Sequence, residues 1–164
     1  MKHILSMLVN DQPRVLARVA SLIGQRNFNI ESISVGESEE PGLSRMVIVT
    51  EGDERTMEQV TKQLHKLVDV IKIQELSVEE AVVRELMLVK VGANPSVRTE
   101  IAGIVEPFRA QIVDVGYNTM VIQATGEKTK LDNILELLRP YGIKEVARTG
   151  VTALARSLTK ATLK

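Results

Sequence analysis

His3-Ile4-Leu5-Ser6-Met7-Leu8-Val9, then Asn10-Asp11-Gln12-Pro13-Arg14, then a stripe of Val15, Leu16, Val19, Ala20, Leu22 and Ile23: this stretch decides the fold. Its opening run is short, apolar and unbroken, which predicts a buried strand. Asn10 to Arg14 is turn chemistry, in which Asn10 or Asp11 is suited to cap a helix and Pro13 to sit in its first turn. The apolar residues that follow lie on one helical face and predict a helix over 14–26. Asn27 suits the left-handed conformation that ends a helix. Phe28, Ile30, Ile33 and Val35 then predict a second strand, and the slip in their parity near Ser32 predicts a bulge.

Working outward, the loop Gly36 to Gly42 leads to a third strand, Leu43 to Thr50. Gly52-Asp53-Glu54 reads as the start of a helix with Met57, Val60 and Leu64 on one face. Leu67 to Ile73 reads as a fourth strand. The order βαββαβ over about 73 residues is the split-βαβ, ferredoxin-like pattern. It then recurs. Glu85 to Val91 is a strand, Val97 to Phe108 a helix, Gln111 to Val115 and Thr119 to Ala124 two strands, Lys128 to Leu138 a helix, and Ile143 to Ala147 a last strand. The expected fold class is therefore α+β, with two ferredoxin-like units in tandem. The first spans 1–76, a linker spans 77–83, and the second spans 84–164, including a basic tail from 151 onward without a clear pattern.

Composition narrows function. The 164 residues carry 21 basic and 21 acidic side chains, so no global field draws the chain to nucleic acid or an anionic membrane. Residues 1–83 carry a net of −4 and residues 84–164 a net of +4, which fits two units with different neighbours. Phe28, Phe108, Tyr117 and Tyr141 are the only aromatics, too few for a base-stacking platform. Cysteine is absent, which removes disulfides and thiolate chemistry. No run reaches 18 apolar residues, and the N-terminus lacks a signal-peptide core. A soluble, cytoplasmic protein is expected. His3 and His65 are not linked to any nucleophile by a local motif. No glycine pattern for phosphate stands between the first strand and helix. Glu37, Glu39 and Glu40 read as a solvated loop rather than a cation site.

Several runs carry a more specific signal. Gln25-Arg26-Asn27-Phe28-Asn29-Ile30-Glu31-Ser32-Ile33, Gly42-Leu43-Ser44-Arg45-Met46 and Lys62 to Val70 resemble the regulatory (small) subunit of acetolactate synthase. So do Arg84 to Val91, Phe108-Arg109, Ile112 to Val115 and Glu145-Val146-Ala147-Arg148-Thr149-Gly150. The resemblance runs in unbroken order from residue 2 to about 156, and its first half resembles an ACT domain, a βαββαβ module that binds small amino acids. It implies a non-catalytic chain that activates a large subunit and confers feedback inhibition by valine. In that family thiamine diphosphate, magnesium and FAD belong to the large subunit, so no cofactor is expected in this chain. It also implies ACT domains paired side by side as a homodimer, with the effector at the shared interface.

On this resemblance the expected effector-binding residues are Asn10, Asp11, Arg14, Val15, Leu16, Asn29 and Ile30. Helix N-terminal amides suit a carboxylate, Asn10 or Asp11 an ammonium, and Val15, Leu16 and Ile30 a branched apolar side chain. Asn29 resembles the family's effector-contacting asparagine. Two positions depart from the family pattern: Asp11 stands where asparagine is usual, and Arg14 where glycine is usual. Asp11 and Arg14 are close enough in sequence to pair. The apolar first strand and helix are the expected dimer seam. The competing readings are a stand-alone amino-acid-sensing ACT protein and a small enzyme on a ferredoxin-like scaffold.

Overall fold

Residues 1–157 are described by a computed structural model. Its elements follow the apolar periodicity closely. The first half contains β1 (Lys2–Asn10), α1 (Val15–Gly24), β2 (Asn29–Glu37), β3 (Leu43–Glu51), α2 (Glu54–Leu64) and β4 (Val70–Leu76). The second contains β5 (Ala81–Gly92), α3 (Arg98–Val105), β6 (Gln111–Val115), β7 (Thr119–Gly126), α4 (Lys128–Leu138) and β8 (Ile143–Arg148). A short strand, β9 (Thr152–Ala155), follows. The chain divides into two units, Met1–Val83 with the segment from Val151, and Arg84–Gly150.

The sheet of the first unit has the order β2-β3-β1-β4, with every neighbour antiparallel. The seven residues after Lys2 in β1 are all buried, because the strand is central, with β3 and β4 on either side. Leu5, Met7 and Val9 face Val15, Val19 and Ile23 of α1 and Met57, Val60 and Leu64 of α2 in one core. The register of β2 on β3 shifts between Ile30 and Ser32, the bulge that the parity slip predicts. Asn27 closes the α1 turn at φ 57°, in the left-handed region. Gly52 carries no side chain because the Phe28 ring occupies the space: a Cβ there would lie 2.0 Å from its Cε1.

Three expectations are corrected. Leu67 to Asp69 belong to the turn before β4, closed by the Val70 N–H donating to the Leu67 carbonyl at 3.1 Å. The expected helix to Phe108 is α-helical only to Val105; Pro107 removes a backbone donor, and Glu106–Phe108 tightens into a 3-10 turn. The first strand, expected with the first helix at the dimer seam, has no open edge to pair: β3 and β4 flank it, so β2 and β4 are the open edges.

The expected division at 77–83 also shifts. Residues 81–83 already form the start of β5, and Val151 to Ala155 return to the first unit. Ala81, Val151 and Ala153 are buried with Ile4, Val47, Val49 and Leu76 on the face of the sheet opposite the helices. Small apolar residues at a period of two supply this cover, a signal too short to stand out in the tail. The Ser34 hydroxyl donates to the Val151 carbonyl at 2.8 Å and fixes the return. Residues 158–164 of the expected basic tail lie outside the described residues.

The sheet of the second unit has the order β6-β7-β5-β8. Met87, Val89, Val91, Met120 and Ile122 pack under Ile101 of α3 and Leu131 and Ile134 of α4. Arg148 clamps its lower end. Its Nε and Nη2 donate to the two carboxylate oxygens of the buried Glu85 at 3.0 and 2.8 Å, and its Nη1 to Asp132 of α4 at 2.7 Å.

Candidate functional site

The turn after β1 is held at several points. The Asn10 N–H donates to the Asp69 carbonyl at 2.8 Å, and the Asp11 N–H to the Gly42 carbonyl at 2.9 Å. Asn10 Nδ2 donates to Asp69 Oδ1 at 3.4 Å, and Arg18 Nη1 to Asp69 Oδ2 at 2.7 Å. The half-buried Asp69 thus ties the end of β1 to α1. Neither Asp69 nor Arg18 stands out as a site residue from pattern alone, although Asp69 lies in one of the runs that carry the family resemblance.

Neither Asn10 nor Asp11 caps α1, contrary to expectation. Asn10 completes β1, and the residue at the cap position is Arg14, with φ 75° and ψ −7° and no side-chain cap. The left-handed conformation of Arg14 turns the chain into the helix and moves Asp11 out of capping reach. Nor do Asp11 and Arg14 form an ion pair among the described residues; both are exposed. The first turn of α1 contains no acidic residue. By contrast, α2 is closed by Asp53, whose carboxylate accepts from the Thr56 N–H at 2.8 Å and, held by these bonds, lies below the ordinary aspartate range. The Val15 N–H donates to the Gln12 carbonyl at 3.4 Å, and the first turn of α1, unlike that of α2, has no side-chain cap to compete with an external carboxylate.

The apolar candidates separate. Val15 belongs to the core, at 4% exposure, and cannot line an open wall. Leu16 is 47% exposed on the same turn and can. Ile30 packs partly against the core from β2.

Asn29 lies elsewhere. It is exposed at the start of β2 and pairs with Glu51 on β3, whereas Asn10 pairs with Leu43 at the other end of β3. Leu43 to Glu51 spans about 26 Å at about 3.3 Å per residue. One copy of the chain therefore places Asn10, Asp11, Arg14 and Leu16 together and keeps Asn29 and Ile30 at the opposite end of the sheet.

Comparison with known proteins gives a consistent answer along the whole described length. Residues 5–72 match the profile of the AHAS small subunit-like ACT domain, and residues 84–157 that of the small subunit of acetolactate synthase. The acetolactate synthase small subunit of Bacillus subtilis is 50% identical over 157 residues, covering 95% of this chain and 91% of that one. That of Mycolicibacterium smegmatis is 48% identical over 154 residues, covering 94% and 91%. The crystal structure of the small subunit from Thermotoga maritima superposes with a TM-score of 0.89 at 44% identity, over 95% of this chain and 98% of that one. With two βαββαβ units in tandem, the first of them an ACT-type domain, the chain belongs to the acetolactate synthase small-subunit family.

Proposed function

We propose that this chain is the non-catalytic regulatory subunit of an acetolactate synthase, activating the large subunit and making it sensitive to valine. Thiamine diphosphate, magnesium and FAD belong, on this reading, to the large subunit. The observation that carries the effector assignment is the first turn of α1, which neither a side-chain cap nor an acidic residue closes, beside the turn Asn10 to Arg14. A valine carboxylate accepts there from backbone amides, its ammonium faces Asn10 and Asp11, and Leu16 borders its side chain.

The separation of Asn29 from that turn supports a site built by two copies. β2 is an open edge. A two-fold axis that pairs β2 with its own copy runs the strands antiparallel. The Asn29 end of one copy then meets the Glu37 end of the other. That end carries the Gly42 carbonyl, to which the Asp11 N–H donates. The turn lies two strands in from the edge, about 10 Å at strand spacing. The homodimer and the effector site are thus one proposal.

Reconstitution of the full chain with its large subunit tests the function. Added small subunit is expected to raise turnover, and valine to reverse the gain, by a coupling of about 1–3 kcal/mol. Unchanged turnover with and without the small subunit would favour the stand-alone amino-acid sensor.

A further inference from the structure

In the first unit, the sheet face opposite α1 and α2 is closed at one end only. There the start of β5 and β9 cover Ile4, Val47, Val49 and Leu76. At the other end lies a cavity of about 140 Å³ floored by Ser6 and Leu8. Arg45 with Glu39 and Glu40 forms one wall, and Lys72 with Gln74 the other. None of these residues belongs to the Asn10 to Arg14 turn or to Asn29.

The register explains the arrangement. Leu8 pairs with Arg45 on β3 and with Lys72 on β4, so two cations stand astride one apolar residue. Their backbones are about 10 Å apart, two strand spacings. Arg45 is partly engaged: its Nη2 donates to both carboxylate oxygens of Glu39 at 3.0 and 3.2 Å. Lys72 has no carboxylate partner among the described residues. Ser6 is 5% exposed, and its hydroxyl, without a partner among the described residues, is open to the cavity. An unpartnered hydroxyl beside an unpartnered ammonium is suited to an anionic oxygen. The acidic rim of Glu39 and Glu40 is suited to a cation at the same time.

We propose that this cavity binds a small α-amino acid as its zwitterion. The carboxylate sits between Lys72 and Arg45 and accepts from the Ser6 hydroxyl. The ammonium points to the rim, where Glu40 accepts from it. A cavity of about 140 Å³ has room for a ligand of glycine or alanine size. The site goes beyond the regulatory reading above and does not depend on it.

Titration of the full-length protein with alanine, followed by amide chemical shifts, tests the proposal. The amides of Ser6, Leu8, Lys72 and Gln74 are expected to shift together. Lys72→Met is expected to weaken binding about tenfold and Ser6→Ala several-fold, each variant keeping the parent's dispersed spectrum. Pyruvate, which lacks the ammonium, is expected to bind at least about tenfold more weakly than alanine. Asn29→Ala is the control and is expected to leave the titration unchanged. The absence of shifts at these amides in tens of millimolar alanine would overturn the proposal. So would affinity unmoved by Lys72→Met, equal binding of pyruvate and alanine, or loss of binding in Asn29→Ala. Reconstituted activity is a separate readout, so the two proposals fail separately.

Discussion

Arg14 is the residue at which local conformation and ligand chemistry meet. A side chain with a Cβ in the left-handed region costs roughly 1–2 kcal/mol, because the Cβ crowds the following carbonyl. Arg14 bears this cost at φ 75°. Glycine takes the conformation without crowding but loses more backbone freedom on folding, about 0.5–1 kcal/mol. Arg14→Gly is therefore expected to be neutral or to stabilise the chain by up to about 1 kcal/mol, read from the urea midpoint. It also clears a long cationic side chain from the turn, where valine must bring an ammonium as well as a carboxylate. Tighter valine binding by calorimetry, and sharper inhibition of the reconstituted enzyme, are expected. Weaker binding would show instead that Arg14 holds the carboxylate.

Among the elements, β5, β8 and α4 depend on one guanidinium. Removing Arg148 leaves Glu85, only 7% exposed, as a buried carboxylate without its bidentate partner. Arg148→Met is expected to cost about 3 kcal/mol, the lower end for breaking a buried pair. Arg148→Lys recovers only part of this, because an ammonium lacks the fork that serves Glu85 and Asp132 together. Thermal unfolding of both variants checks the order. Asp132 adds a pH signature. Hydrogen bonds from Lys128 and then Arg148 hold its carboxyl below the ordinary range. The stabilisation is therefore present above the unfolded value of about 3.9 and is lost as pH falls through the lower folded value. The stability difference between the parent and Asp132→Asn should be visible at neutral pH and close below about pH 3.9. Persistence of the full difference in acid would mean that the ion pairs are not its source.

For the whole molecule, the first unit is discontinuous in sequence, since its outer face is finished by residues on both sides of the second unit. A piece ending at Leu76 loses Ala81, Val151 and Ala153 and uncovers Ile4, Val47 and Val49. It is expected to melt earlier than the first unit of the intact chain, and to associate through that newly open face. Assembly of the intact chain is expected to use β2, whose paired edge would bury Val35, now 48% exposed. A charged substitution, Val35→Lys, is then expected to shift the intact chain from dimer to monomer in sedimentation. A dimer unmoved by it would place the seam on another surface.

What the sequence determined by itself was everything carried by periodicity. The two βαββαβ orders, the bulge at Ser32 and the left-handed Asn27 were legible because each follows from neighbouring residues. The family was legible because runs such as Asn29-Ile30-Glu31-Ser32 and Ala147-Arg148-Thr149-Gly150 are dense enough to identify it. The tertiary structure alone decided facts that depend on pairing across the chain. Strand order put β1 inside the sheet and left β2 at its edge. It separated Asn29 from Asn10 although both flank the same helix, because β1 and β2 are each antiparallel to β3 and so run in the same direction, which puts the end of one and the start of the other at opposite ends of the sheet. It gave Arg148 and Asp69 their roles as clamp and anchor, since no local pattern announces a partner about 60 residues away. And it returned Val151 and Ala153 to the first unit, because two small apolar residues become a recognisable cover only when the surface they bury is in view.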